Sequence, residues 1–132
     1  MPQSLYDLRA RRFPLYPYGV GAKNRKEIPA DLARAGEARH FISWSGAVAG
    51  LGGGRLNDLA VAAEAVLTDI LLSADRGVVE IESVRTDEVL TIRITHPELG
   101  DRRMSDLAGI LERFLDGHEI TATRAVLVKR LD

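Results

Sequence analysis

From Leu56 to Ala74 the apolar residues recur at three- and four-residue steps. Leu56, Leu59, Ala63, Val66 and Ile70 fall on one line, the pattern of a helix with one buried face. At about 100° per residue, Glu64 and Thr68 lie one above the other beside that apolar stripe, with Asn57 on the same line two turns earlier. A carboxylate in that position is either a solvated rim or the wall of a site. Upstream, Asp31 is a plausible N-cap for a second helix running to Ala49. This helix carries two stripes: a small-residue face (Leu32, Ala35, Ala38, Ile42, Ala49) and a bulkier one (Phe41, Trp44, Val48). Two apolar faces suit a helix that is deeply buried or that bridges to a partner. Leu51-Gly52-Gly53-Gly54-Arg55 between the two helices reads as a hinge. It lacks both the preceding strand and the Lys-Ser/Thr ending of a phosphate loop.

After the long helix, Arg76 suits the negative end of the dipole and Gly77 a left-handed cap. Two alternating segments follow, Val78–Val84 and Val89–Thr95, joined by a turn near Arg85-Thr86-Asp87-Glu88. Their period of two predicts a hairpin with Val79, Ile81, Leu90, Ile92 and Ile94 inward. Glu80, Glu82, Thr91 and Arg93 then face outward, with cross-strand charge pairing. His96–Arg103 is a polar loop. Met104, Leu107, Ala108, Leu111, Phe114 and Leu115 predict an amphipathic helix capped near Gly117. Glu119–Ala122 and Arg124–Lys129 close the chain as a strand pair, the second apolar on both faces and so interior. With a short strand at Glu27–Ala30, the order is strand, helix, helix, hairpin, helix, strand pair. Helices on one face of a mixed, mostly antiparallel sheet make a two-layer α+β sandwich.

Composition narrows this little. The chain has 132 residues, 45% hydrophobic and 28% charged, which suits one globular domain. No cysteine is present, so disulfide and thiolate chemistry are excluded, in keeping with a reducing compartment. No apolar run spans a bilayer, and the first residues lack a signal-peptide core, so cytoplasm and no membrane are the expectation. Charge is more informative. Residues 1–26 hold six Lys/Arg against one Asp, whereas residues 27–132 hold twelve against eighteen Asp/Glu. The first 26 residues thus form a basic arm on an acidic body. The arm also carries all three tyrosines and three of the five prolines, too aromatic for plain disorder. Phe13–Tyr18, broken by Pro14 and Pro17, is predicted to be extended and laid on a surface. The arm could meet an acidic partner, its own domain or a second copy. The body's acidity argues against nucleic acid.

Metal and nucleophile classes find no support. His40, His96 and His118 are far apart, without ligands at helical or hairpin spacing. No Gly-x-Ser-x-Gly or Ser-His-Asp arrangement is present.

Three stretches carry a resemblance: Ala60–Thr68, the strand Val89–Ile94, and the terminal Val126–Leu131. Together, over residues 27–131, the chain resembles the anti-sigma-factor serine kinase branch of the GHKL, or histidine-kinase-type, ATPases. That family has a Bergerat-like ATPase fold and binds Mg-ATP between helices and sheet. The resemblance implies Glu64 as general base toward an attacking hydroxyl. Thr68 stands where the family's Mg²⁺-holding Asn belongs, and is the one metal candidate. His96-Pro97-Glu98-Leu99-Gly100 stands at the adenine loop, where His96 replaces Asp, Glu98 replaces a glycine and only Gly100 survives. Thr123, after Ala122, occupies the usual Gly-Thr place and could touch a phosphate. The lid over the phosphates is nearly missing. A carboxylate where backbone should approach the nucleotide adds bulk and like charge.

Phosphoryl transfer depends on positioned Mg²⁺ and charge neutralisation more than on a base. The expectation is therefore a regulatory module that has lost or weakened ATP binding and needs no cofactor. It would hold a sigma-factor-like or anti-sigma-antagonist-like protein through the Phe41/Trp44/Val48 stripe or the aromatic arm. The family also implies a homodimer. The alternative is an active ATP-dependent serine kinase with a divergent pocket, working through Glu64, Thr68, His96, Gly100 and Thr123.

Overall fold

A computed structural model describes residues 21, 23–73, 77–97, 99 and 104–131. The expected extended segment Phe13–Tyr18 and the adenine-loop residues Glu98 and Gly100 lie outside these. Among the described residues five strands and three α-helices follow in the order β1 (Lys23–Pro29), α1 (Ala35–Ala49), α2 (Gly53–Ser73), β2 (Val78–Arg85), β3 (Val89–Thr95), α3 (Met104–Phe114), β4 (Gly117–Ile120) and β5 (Arg124–Arg130).

The strands form one sheet in the order β1-β2-β3-β5-β4, and every neighbouring pair is antiparallel. The sheet is thus antiparallel throughout rather than mixed, because every connection between neighbouring strands returns the chain in the opposite sense. β1 also starts four residues earlier than predicted. Lys23 pairs with Val84 and Lys26 with Ile81, which draws the last residues of the basic arm into the sheet.

The alternation in the strands decides which face is covered. Ile28, Val79, Ile81, Leu90, Ile92, Ile94, Ala125 and Leu127 are buried on one side. They pack under Leu59, Ala62, Ala63, Val66, Leu67 and Ile70 of α2 and Ala38 and Ile42 of α1. The residues predicted to face outward do so. Arg93 Nη1 donates to Glu82 Oε1 at 3.0 Å across the β2–β3 register. Arg25 bridges Glu27 and Glu80 on the same outer face.

Local chemistry shifts the helix boundaries. Asp31 accepts from the Ala33 N–H at 3.0 Å, but it caps a single 3-10 turn, Leu32–Arg34, and α1 proper begins at Ala35. The break between helices sits at Gly50, whose φ of 106° closes α1 in the left-handed region. Gly53, Gly54 and Arg55 belong to the first turn of α2 rather than to a hinge. Gly117 opens β4 instead of capping α3. No helix among the described residues is long and apolar enough to cross a membrane.

Candidate functional site

The residues singled out by the sequence occupy different environments. Glu64 and Thr68 share one line of α2, and both are exposed. Glu64 turns toward α1, where Arg39 Nη1 stands 3.9 Å from its Oε2, and its side chain is 55% exposed. An ion pair so open to water contributes little to stability, about 0–1 kcal/mol.

His96 lies at the other extreme. It follows the last residue of β3 and is only 1% exposed. Its Nε2 comes within 3.5 Å of where a side chain at Gly77 would begin, and Gly77 has a φ of 90°. Its backbone N–H donates to the Thr123 carbonyl at 2.9 Å, and its carbonyl accepts from Leu99. His96 and Thr123 are therefore neighbours through the backbone, while the Thr123 side chain stays exposed in the β4–β5 turn. That turn is organised by Thr121, whose hydroxyl accepts from the Arg124 N–H at 3.1 Å.

The five predicted positions thus fall into an exposed pair on α2, a backbone-linked pair at the ends of β3 and the β4–β5 turn, and Gly100 outside the described residues. Among the described residues two open grooves stand out. One, of 710 Å³, is lined by Gly50, Arg85, Glu88, Val89, Arg130 and Leu131 among others. The other, of 480 Å³, lies between α1 and the edge strand β1 and is lined by Lys26, Gly36, Glu37, His40, Phe41 and Trp44. Neither includes Glu64, Thr68, His96 or Thr123. Among the described residues no cluster of three or more His, Asp or Glu could hold a metal ion.

The α1–β1 groove has a built polar rim. The Arg34 guanidinium donates to Glu37 and holds its carboxyl below the usual carboxylate range. Lys26 Nζ approaches the same carboxylate at 3.9 Å. The aromatic wall is half-buried, with Phe41 and Trp44 ring centroids 6.2 Å apart and tilted by 33°. The stripe had been legible from Phe41, Trp44 and Val48. The contribution of Lys26 had not, because the strand that brings it under α1 was predicted to start later.

A second constellation was missed. Lys129, on β5, is 7% exposed. Its Nζ donates to the Phe114 carbonyl at 2.8 Å and faces Asp58 at 3.5 Å and Asp116 at 4.0 Å. Arg55 Nη2 reaches the Arg130 carbonyl at 2.6 Å, and Asp116 accepts from the Arg130 N–H at 2.7 Å. This network ties the first turns of α2 to the end of β5. The signal was parity: Lys129 follows buried Ala125 and Leu127 at steps of two.

No protein-family model matches this chain, and no curated protein matches it.

Proposed function

We propose that this protein is a regulatory, protein-binding domain of Bergerat-like ancestry, related to the anti-sigma-factor serine kinases and without effective phosphoryl transfer. The observation that carries the reading is the setting of Glu64. A general base must reach the proton it removes, next to a metal and phosphates that share its cleft. Glu64 instead faces Arg39 in open water, and His96 is packed under Gly77. Thr68 offers one exposed hydroxyl where Mg²⁺ needs several oxygens in near-octahedral order. The half-buried aromatic stripe on α1 is the better candidate for work, since aromatic anchors in partly desolvated grooves concentrate binding energy. Its occupant would be a sigma-factor-like or antagonist-like protein, with the domain acting as a homodimer.

Titration with Mg-ATP tests this. No saturable binding is expected up to millimolar nucleotide, and Glu64→Ala should change stability by less than about 0.5 kcal/mol, as surface substitutions do. Saturable binding that Glu64→Ala preserves, together with loss of phosphoryl transfer in that variant, would establish the kinase instead.

A further inference from the structure

We propose that the sheet face turned away from the helices is the homodimer surface, and that a second copy lies on it across a two-fold axis parallel to β3. The inference rests on the homodimeric part of the reading above and names its surface. It does not depend on the loss of phosphoryl transfer.

The strand register lays this face out side chain by side chain. The helices pack on the opposite side, over the core. On the open side, Lys23, Val84, Thr91, Val128 and Gly117 form one row across β1, β2, β3, β5 and β4. Arg25, Glu82, Arg93, Val126 and Glu119 form the next row, and Glu27, Glu80, Thr95 and Arg124 the third. Val84, Thr91, Val126 and Val128 are partly exposed, which leaves an uncharged patch in the middle of the sheet with charges around it. An apolar centre inside a polar rim is the usual anatomy of a protein–protein contact.

The charges are arranged to meet themselves. Rotation about an axis along β3 lays β2 over β5 of the second copy and β1 over its β4. Val84 then meets Val128 of the second copy, Arg25 meets its Glu119, and Glu80 meets its Arg124. Each contact occurs twice. Neither Glu119 nor Arg124 has an ion-pair partner within the chain among the described residues. Thr91 and Arg93 sit on the axis and meet their own copies. Arg93 Nη1 lies 3.0 Å from Glu82 Oε1 of the same chain, so two neutralised pairs face each other there rather than two bare cations. An axis across the strands would instead set Val84 against Glu80 and Val128 against Arg124, with valines opposite charges.

The dimensions also fit. Five strands about 4.8 Å apart, each presenting about 20 Å of length, make a face of roughly 480 Å². Two such faces total about 1,000 Å², the lower end of specific interfaces, so the dimer should be reversible. Packed sheets cross at about 30°, an offset that the long Arg and Glu side chains at the rim can follow.

Sedimentation velocity of the full chain over a range of concentrations tests this, with far-UV circular dichroism to confirm folding. The parent should show a concentration-dependent dimer. Val128→Glu, Arg124→Glu and Glu119→Arg should each raise its dissociation constant about tenfold or more, because a carboxylate then enters the apolar centre or like charges face each other at the rim. Glu112→Arg, on the exposed side of α3, carries the same change of charge as Glu119→Arg and should match the parent. The chain has no cysteine, so Thr91→Cys supplies one thiol per copy. A bismaleimide spanning the ~10 Å between packed sheets should join two copies through it, and should not join two copies of Glu112→Cys. A dimer that all three interface variants leave intact, or that Thr91→Cys does not crosslink, overturns the surface while the homodimer stands. A monomer at every concentration overturns both. Neither result bears on Mg-ATP binding, so the loss of phosphoryl transfer is decided separately.

Discussion

Lys129 shows what a single buried charge does in this molecule. Its ammonium has left water for one carbonyl and two partly exposed carboxylates. Truncation by Lys129→Ala removes the packed stem, leaves Asp58 without its lysine and leaves Asp116 with Arg55 at 3.9 Å, at a cost of about 2–4 kcal/mol. Lys129→Met keeps the volume and lets the carboxylates turn to water, so about 1 kcal/mol or less should be lost. Urea denaturation of the two variants checks the order; equal losses would mean that the ion pairs, and not the packing, dominate. Glu37 behaves oppositely, being at the surface. Its folded carboxyl titrates below the usual range because Arg34 donates to it. The resulting stabilisation is present above the unfolded carboxylate pKa and is lost as pH falls through the lowered folded value. Glu37→Gln should therefore flatten the acid limb of the denaturation midpoint against pH. Parallel profiles for parent and variant would contradict this.

At the scale of elements, α1 and α2 meet at Gly46. A side chain there would begin 2.6 Å from Leu56 Cδ1 and 3.3 Å from Leu59 Cδ2. Gly46→Val should thus cost about 1–3 kcal/mol through overpacking. Gly54 sits in the first turn of α2 with open space around it, so Gly54→Ala should stabilise by up to about 1 kcal/mol. Calorimetry of both variants would show opposite shifts in Tm. The elements themselves were legible where periodicity and packing agree: the α2 stripe and both strands of the β2–β3 hairpin are where the pattern put them. Boundaries were less so. Asp31 advertises a cap, yet the turn it caps tightens to 3-10 before α1 begins. Two adjacent glycines, Gly53 and Gly54, look like hinge residues but are carried into α2, whose later apolar face holds them there. Lys23–Lys26 read as arm because their charge hides an alternation that only the pairing with β2 makes visible.

For the whole molecule, the two-layer α+β arrangement follows from which strand faces are apolar, and the sequence carries that. The relation between Glu64 and His96 is different in kind. Each was singled out by its local motif, but whether an exposed side chain on α2 and a buried one after β3 meet depends on long-range packing that no local spacing encodes. Strand order has one further consequence. β2 with β3, and β4 with β5, are hairpins closed by short turns, whereas among the described residues β1 pairs with β2 alone, across some fifty residues, as in Ile28↔Val79. Closing so long a loop delays its reward, so β1 should be the last strand to join the folding chain and the first to open. Native-state amide exchange is expected to find the Lys23–Pro29 amides opening at lower free energy than those of β3 and β5, and equal protection across all three would show that the sheet melts as one unit.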